Sequence, residues 1–287
     1  MKRITKKSFL ILIIAIISIV FFFYFQNNSI ETTEIDIRSA NIPAGFHGFK
    51  IVQLSDLHSK SFGENQSGLV KEVGKANPNL IVFTGDLVDS KKYDEDASLT
   101  LMKELVQIAP VYFVTGNHEW WSGRFNSLEN KLIELGVQVM RNTSAVIANG
   151  EDKIHIIGID DPAQVNEGYS EESIAEEAIE NAMDGLTDGE NFKILLSHRP
   201  ELFSLYSNYE LDVVFSGHAH GGQVRIPFLD SGLIAPNQGF FPKYTSGKHN
   251  LNNTTMIVNR GLGNSIIPLR IFNRPEIVVA TLKQGIN

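Results

Sequence analysis

The 287-residue chain contains no cysteine. Its absence excludes disulfide bonds, zinc–thiolate sites, iron–sulfur clusters and a cysteine nucleophile. It does not identify a cellular compartment, because a chain of this length buries enough apolar surface to fold without disulfide bonds. If the protein binds a metal ion, thiolate is therefore not among the ligands.

Basic residues are also scarce. The formal net charge is −8, from 25 Lys and Arg residues against 33 Asp and Glu residues. Four basic residues precede the first hydrophobic run, namely Lys2, Arg3, Lys6 and Lys7. Without them, 21 basic residues face 33 acidic residues, a net charge of −12. Because non-specific affinity for the phosphate backbone comes mainly from Lys and Arg, we expect no nucleic acid partner. Nothing in the sequence indicates an oligomer.

One long apolar segment lies near the N-terminus. Phe9 to Phe25 is apolar apart from Ser18 and Tyr24, roughly the minimum length for a membrane-spanning helix. Basic residues stay on the cytoplasmic side, so the rest of the chain is expected outside the cytoplasm. A cleaved signal peptide, which would release a secreted protein, and a buried core helix are the alternatives. The predicted order is a cytoplasmic basic segment (1–8), a transmembrane anchor (9–25), a polar tether (26–34) and the main domain (35–287).

The main domain alternates apolar strands with amphipathic helices. Helices are predicted at 66–76, 97–108, 126–135 and 170–186, the last with Ser170 as its N-cap. The intervening strands are continuously apolar rather than alternating, which is typical of strands buried on both faces. The pattern predicts an α/β fold with a largely parallel sheet covered on both sides.

Polar side chains of the kinds that bind metals follow five of the apolar strands. They are Asp56 and His58; Asp86 and Asp89; Asn117, His118 and Glu119; His198; and His218 and His220. Each group alone is consistent with a polar turn, and a His-x-His pair alone is a weak metal signal. Together they predict a ligand site, because the carboxyl ends of parallel strands meet at one edge of a sheet. Extended backbone also places residues two apart on one face, so Asp56 and His58 are expected to meet one ion.

The chemistry of this set indicates the kind of metal. Three clustered carboxylates, Asp56, Asp86 and Asp89, would repel one another without multivalent cations. Carboxylate, imidazole and amide ligands without thiolate suit Mn, Fe, Zn or Co better than Ca.

The same residues stand in five ordered motifs: Asp56-Leu57-His58, Gly85-Asp86-Leu87-Val88-Asp89, Gly116-Asn117-His118-Glu119, His198, and Gly217-His218-Ala219-His220. This set resembles the calcineurin-like metallophosphoesterase superfamily, and the C-terminal part of the chain resembles its membrane-associated YkuE/YaeI-like branch. The resemblance implies a four-layer α/β sandwich, in which two mixed β-sheets pack together between helices, here preceded by a transmembrane helix. No Arg follows Asp89 as in the protein Ser/Thr phosphatases, which argues against a phosphoprotein phosphatase. Arg199-Pro200 after His198 is a second, minor departure.

The resemblance also assigns the site residues. It implies two metal ions, which could be Mn, Zn or Fe. One ion would be held by Asp56, His58, Asp86 and His220; the other by Asp86, Asn117, His198 and His218. His118 would be the general acid, with Asp89 raising its pKa and fixing its ring. A hydroxide that bridges the two ions is expected to attack phosphorus in line.

The expected substrate follows from the branch that the chain resembles. The branch implies hydrolysis of a phosphodiester, or of the pyrophosphate of a lipid-linked UDP-sugar, so a lipid or cell-envelope phosphate ester is expected. Trp120, Trp121 and the Phe240–Pro242 segment either pack in the core or form an apolar rim that meets lipid. The alternatives are a phosphomonoesterase of the same fold and a non-catalytic, metal-stabilised binding protein anchored in the membrane.

Overall fold

The computed structural model describes residues 5–165, 168–186, 192–227, 231–264 and 268–285. The α-helices are α1 (Lys6–Asn28), α2 (Ser67–Ala76), α3 (Glu95–Leu105), α4 (Asn117–Trp121), α5 (Phe125–Glu134), α6 (Glu171–Met183) and α7 (Phe203–Tyr206). The strands are β1 (Glu31–Ser39), β2 (Lys50–Leu54), β3 (Leu80–Thr84), β4 (Val111–Val114), β5 (Gln138–Val139), β6 (Thr143–Asn149), β7 (Asp152–Gly158), β8 (Phe192–Leu196), β9 (Val213–Ser216), β10 (Ile234–Ala235), β11 (Gly239–Phe240), β12 (Gly247–Leu251), β13 (Thr254–Val258) and β14 (Glu276–Gln284).

The strands form two six-stranded mixed sheets and a small hairpin. The first sheet has the order β1-β14-β2-β3-β4-β5, and β14 runs antiparallel to β2 while the other pairs are parallel. The second has the order β12-β13-β9-β8-β7-β6, with antiparallel pairs at its two edges. The hairpin joins β10 and β11. The single, largely parallel sheet predicted from the apolar strands is therefore wrong, and the two-sheet sandwich implied by the resemblance is confirmed.

Three apolar clusters separate the layers. The inner cluster lies between the sheets and includes Val82 of the first sheet and Phe215 of the second. On the outer faces, α2, α3 and α5 cover the first sheet with residues such as Leu101, and α6 and α7 cover the second with residues such as Ile179. Each central strand is thus buried on both sides, which explains why these strands are continuously apolar.

The predicted helices lie within two or three residues of the observed ones. Helix α6 begins as predicted, because the Ser170 side chain accepts a hydrogen bond from the backbone N–H of Ser173. Helix α3 begins two residues before the prediction, because the Asp94 side chain accepts from Ala97 N and caps the first turn.

Helix α1 is the one helix among the described residues that is long and apolar enough to cross a membrane. Its 23 residues extend about 34 Å, enough for a hydrocarbon layer of about 30 Å. None of its apolar window is buried against the rest of the chain. The alternative of a buried core helix is therefore wrong. Lys2 and Arg3 of the predicted basic segment lie outside the described residues.

The polar tether predicted at residues 26–34 is also wrong. Helix α1 continues through Asn28, because the side chains of Asn27 and Asn28 donate to the carbonyl oxygens one turn earlier. Strand β1 already begins at Glu31 and pairs in parallel with β14. Only Ser29 and Ile30 separate the helix from the sheet.

Candidate metal centre

The ends of five strands deliver polar side chains to one edge of the sandwich. Strands β2, β3 and β4 come from one sheet, and β8 and β9 from the other. The residues that follow these strands and become buried together are Asp56, His58, Asp86, Asn117, His118, His198, His218 and His220. All of them except Asp56 and His198 line a cavity of about 490 Å³, together with Trp121 and with Asp89, which is partly exposed. All of the predicted site residues therefore lie in one place.

A first group of donor atoms comprises Asp56, His58, Asp86 and His220. His220 Nε2 lies 3.3 Å from Asp56 Oδ1 and 3.1 Å from His58 Nε2. His58 Nε2 in turn lies 3.5 Å from Asp86 Oδ2. Atoms that each bind one ion at about 2.0–2.2 Å have separations of this size, so the group could hold a metal.

A second group shares Asp86 with the first and adds His198 and His218. His198 Nε2 lies 3.3 Å from Asp86 Oδ2 and 3.1 Å from His218 Nδ1. The same carboxylate oxygen of Asp86 thus faces both groups. This arrangement could place two ions on opposite sides of one carboxylate.

Asn117 supports the fit of a metal to the centre. Its Oδ1 atom is buried and has no hydrogen-bond partner among the residues the structure describes. A buried amide oxygen left without a partner costs about 1–3 kcal/mol, and a cation satisfies it. The donor chemistry agrees, since imidazole, carboxylate and amide oxygen suit transition metals.

The charge balance of the centre also favours a cation. Although burial alone lowers the pKa of His198, the Asp86 carboxylate raises that pKa to about 10. Burial raises the pKa of Asp56, and the negative charge of the nearby Asp86 raises it further. A positive charge at this position is therefore stabilised by the residues around it.

Neighbouring groups select which nitrogen of each histidine is free to bind. His198 Nδ1 donates to the carbonyl oxygen of Thr84 at 2.7 Å, which leaves Nε2 as the acceptor atom. His218 Nε2 donates to Asn237 Oδ1 at 3.2 Å, which leaves Nδ1 free. The two free nitrogens lie 3.1 Å from each other, and His198 Nε2 faces Asp86. Partners outside the ligand set are expected to orient ligands in this way.

The backbone at these residues is left-handed rather than extended. The φ angles are 51° at Asp56, 50° at His58, 56° at Asp86, 65° at His218 and 47° at His220. The expectation that extended backbone brings Asp56 and His58 together is therefore wrong in its reason, although the two side chains do meet. A left-handed non-glycine residue costs roughly 1–2 kcal/mol, and functional sites are where such strain concentrates.

His118 lies beside the first group and lines the same cavity. The backbone N–H of Ser90 donates to His118 Nδ1 at 3.0 Å, so the neutral ring carries its proton on Nε2. The ring packs edge-on against that of His58, with centroids 4.5 Å apart, and 5.3 Å from that of Trp121. Burial lowers the pKa of His118. This histidine can present an N–H to a group in the cavity.

Asp89 does not orient His118 as expected. Its Oδ2 atom lies 4.0 Å from His118 Nδ1, which already accepts from Ser90, and 3.6 Å from His58 Nδ1. The nearby imidazole of His58 holds the pKa of Asp89 well below its usual range. The charge of Asp89 does raise the pKa of His118 as predicted, but burial outweighs it and the pKa is lowered overall. The predicted fixing of the ring by Asp89 is wrong, because the backbone N–H of Ser90 holds His118 Nδ1.

Glu119 was predicted only as one of the polar residues after the strands, and the structure shows that it organises the loops of the centre. Its buried carboxylate accepts four backbone N–H groups at 2.6–3.2 Å, from Asp86, Leu87, Val88 and Gly116. Burial and the nearby Asp86 raise the pKa of Glu119 to about 7, while the four donors favour the carboxylate. Its position directly after Asn117-His118 in the motif is the only signal in the sequence.

Arg199 is a second residue whose place the sequence does not reveal. Its guanidinium is buried and forms a two-point ion pair with Asp161, at 2.5 and 2.9 Å. One of its nitrogens lies 3.5 Å from His218 Nε2. Asp161 belongs to a loop after β7 that no motif marks.

Comparison with known proteins agrees with this geometry. Residues 49–222 match the model of the calcineurin-like phosphoesterase family. The metallophosphoesterase YkuE of Bacillus subtilis (strain 168) is 35% identical over 260 residues, which cover 88% of this chain and 86% of that protein. A transmembrane protein with a metallophosphoesterase domain from Danio rerio is 28% identical over 263 residues, 89% of this chain but only 58% of that protein.

Among solved structures, the sulfate thiohydrolase SoxB of Thermus thermophilus superposes with a TM-score of 0.50 at 14% identity, covering 84% of this chain and 57% of that one. That likeness shows the fold alone. The chain belongs to the calcineurin-like phosphoesterase family. It is a metallophosphoesterase with a cluster of Asp and His residues fit to bind metal ions, so the resemblance seen in the five motifs is confirmed.

Proposed function

We propose that the protein is a dinuclear metal-dependent phosphoesterase that hydrolyses a phosphodiester or pyrophosphate bond. The observation that carries this proposal is the position of Asp86 Oδ2, which lies 3.5 Å from His58 Nε2 and 3.3 Å from His198 Nε2. One carboxylate oxygen therefore faces two separate groups of donors. Two-metal sites of this kind act on phosphate esters.

The proposed ligands follow from the two groups. Asp56, His58, Asp86 and His220 hold one ion; Asp86, Asn117, His198 and His218 hold the other. Two bound ions supply positive charge against the phosphoryl oxygens and lower the pKa of the attacking water. The ions are Mn, Zn or Fe, in keeping with the nitrogen and oxygen ligands.

The remaining residues position the substrate and move a proton. His118 presents its Nε2–H to the cavity and protonates the oxygen of the leaving group. Lys91 and Lys92 line the same cavity and attract an anionic ester to it. Asp89 supports the site through His58, at 3.6 Å from its Nδ1.

We also propose that helix α1 anchors the protein in a membrane, with the main domain outside the cytoplasm and a lipid or cell-envelope phosphate ester as substrate. The exposed apolar surface of α1 supports the anchor, and the basic residues before it support the orientation. The cleaved signal peptide is the alternative. A compartment-sensitive reporter fused after the main domain tests this orientation, and a cytoplasmic signal would contradict it.

The activity is tested with the full chain in detergent and added manganese. We expect bis-p-nitrophenyl phosphate, a diester, to be hydrolysed faster than p-nitrophenyl phosphate, a monoester. A preference for the monoester would instead indicate a phosphomonoesterase. No hydrolysis of either ester, or of a pyrophosphate, by protein that holds its full complement of metal would favour the non-catalytic binding protein.

A further inference from the structure

The C-terminal end of helix α1 is bonded to the main domain through Asn27. Its Oδ1 atom accepts from the backbone N–H of Arg270 at 2.9 Å and from Asn264 Nδ2 at 3.3 Å. Its Nδ2 atom lies 3.4 Å from the carbonyl oxygen of Arg270, and its own carbonyl oxygen accepts from Lys60 Nζ. One asparagine thus joins the helix to two separate loops of the domain.

Further bonds surround this contact. The backbone N–H of Asn273 donates to the buried side chain of Gln26 at 3.3 Å. Arg274 donates to Ser29 and to the carbonyl oxygen of Ile30, at 2.7–3.0 Å. We call the contacts of residues 26–30 with Lys60, Asn264 and residues 270–274 the anchor joint. So many directional bonds fix the direction in which the helix leaves the domain.

The anchor joint and the cavity of the metal centre share residues. Lys60 and Asn264 belong to the joint and also line the cavity. Asn273 donates through Nδ2 to the carbonyl oxygen of His220 at 2.7 Å, so the loop that holds the helix also holds a proposed ligand. Two residues of the cavity wall, Lys60 and Asn264, therefore contact the end of the helix directly.

The apolar run of α1 fixes the level of the anchor joint relative to the hydrocarbon layer of the membrane. That run ends at Phe25, one residue before the joint begins. The ring of Phe272 packs against that of Phe22, with centroids 5.6 Å apart, and is half exposed. Because Phe22 lies inside the apolar run, Phe272 reaches the level at which hydrocarbon gives way to headgroups.

Other exposed aromatic side chains lie near the mouth of the cavity. Trp121 lines it and is 61% exposed. Phe240 and Phe241 are 72% and 67% exposed, on the hairpin whose turn residue Asn237 also lines the cavity. Of the residues predicted to pack in the core or form an apolar rim, Trp121, Phe240 and Phe241 are exposed, whereas Trp120 packs on Phe125. Aromatic side chains of this kind are enriched where a protein meets the lipid interface.

We propose that the anchor joint holds the mouth of the cavity in the headgroup layer, so that the protein acts on phosphate esters of lipids in its own leaflet. The acyl chains of the substrate stay in the bilayer while its phosphate enters between Trp121 and Lys60. This inference rests on the proposed phosphoesterase activity and adds a geometric reason for lipid selectivity. Water forms a bond to phosphorus, the bond from phosphorus to the leaving oxygen breaks, and that oxygen takes up a proton.

The test uncouples the helix from the domain without removing either. A ten-residue Gly/Ser insertion between Phe25 and Gln26 (the joint insertion) leaves residues 26–30 bonded to the domain and frees the apolar run of α1. It is compared with the same insertion in the exposed turn after Gly150, each in the full chain reconstituted with manganese in phosphatidylcholine vesicles. The lipid probe is phosphatidyl-p-nitrophenol and the soluble probe is bis-p-nitrophenyl phosphate, which share a leaving group. We expect the joint insertion to lower cleavage of the lipid probe at least about tenfold, because a misplaced site loses orientation, and to leave the soluble probe within about twofold. The control insertion should change neither rate.

A second measurement does not depend on turnover. Brominated phosphatidylcholine should quench the fluorescence of Trp121, with Trp121→Phe providing the background from Trp120, and the joint insertion should abolish that quenching. Equal lipid cleavage by the joint variant and wild type, or no quenching of Trp121 in wild type, would overturn the inference. If wild type with full metal content cleaves neither probe but Trp121 is quenched, the proposed function fails while the placement of the cavity at the membrane stands.

Discussion

Asp86 is the residue on which both halves of the centre depend. Its Oδ2 atom faces the imidazoles of His58 and His198, and its Oδ1 atom accepts from the backbone N–H of His118 at 2.8 Å. One carboxylate therefore positions donors from both sheets and the start of the helix that carries the proposed acid. Only substitution of Asp86 removes all three of these contacts at once.

Replacing His118 with Asn should separate proton transfer from metal binding. We expect hydrolysis of diphenyl phosphate, which has a poor leaving group, to fall about 100- to 10,000-fold because the proton donor is gone. Bis-p-nitrophenyl phosphate should lose less, since its leaving oxygen needs little protonation. Metal content should be unchanged. His47→Asn, at an exposed position, is the control, and loss of metal from His118→Asn would show that His118 is a ligand.

Replacing Glu119 with Gln should loosen the centre without touching a ligand. Each carboxylate oxygen of Glu119 accepts two backbone N–H groups, so an amide NH₂ on either side faces two donors. We expect the free energy of unfolding to fall by about 1–3 kcal/mol and metal affinity to fall with it. Urea denaturation and metal analysis measure both. Glu134→Gln on the exposed face of α5 should have neither effect, and an unchanged Glu119→Gln would refute this role.

The residue types in the site could be predicted, because metal binding requires particular side chains. The polar side chains that follow five strands, in that order, include all of the proposed ligands. The partners of those ligands could not be predicted in the same way. Asn237 contacts His218 from the turn of a short hairpin, and Asp161 holds Arg199 from a distant loop. Such contacts depend on how loops fold back, which no local spacing records.

At the level of the element, the turns that follow the strands, rather than the strands themselves, present the candidate ligands. Asp56 and His58 were expected to share a face of extended chain, but both have left-handed backbone, as do His218 and His220. The strand therefore stops before the ligands, and a tight turn presents them. Gly221 and Gly222, with φ of 61° and 73°, turn the chain away after the histidine pair.

Replacing Gly217 with Ala tests how tightly the turn after β9 is packed. A Cβ atom at Gly217 would lie 1.9 Å from Ser55 Oγ and 2.5 Å from Asp56 Oδ2, so the turn must shift. We expect lower stability and loss of the ion bound by Asp56 and His220, measured by thermal unfolding and metal analysis. Gly74→Ala is the matched control, because nothing lies within 4 Å of its Cβ in helix α2 and Ala should stabilise by up to about 1 kcal/mol. Equal stability and metal content in the two variants would contradict the packing described.

The C-terminal end of helix α1 shows another structure that local composition does not predict. Its polar composition predicted a tether, yet residues 26–30 are bonded to the domain and continue into β1. The polar side chains serve as hydrogen-bond partners for residues about 240 positions later in the chain. Composition cannot distinguish a solvated linker from a joint whose partners are that distant.

At the level of the whole molecule, the centre exists because the two sheets pack face to face and bring the ends of their strands to one edge of the sandwich. Asp56 of the first sheet and His220 of the second are 164 positions apart in sequence and 3.3 Å apart in space. The apolar strands indicated an α/β fold but not its division into two sheets. That division depends on β14 pairing antiparallel with β2 and on β13 pairing with β9, and both are long-range pairings.

The metal content of the purified chain and three variants tests the account most directly. After reconstitution with manganese and removal of free ions, elemental analysis should give two ions per wild-type chain. His220→Ala and His218→Ala should each retain about one ion, since each histidine belongs to a different group, and Asp86→Asn should retain less than one. A single ion in wild type, or two ions in Asp86→Asn, would contradict a centre in which two metals share the Asp86 carboxylate.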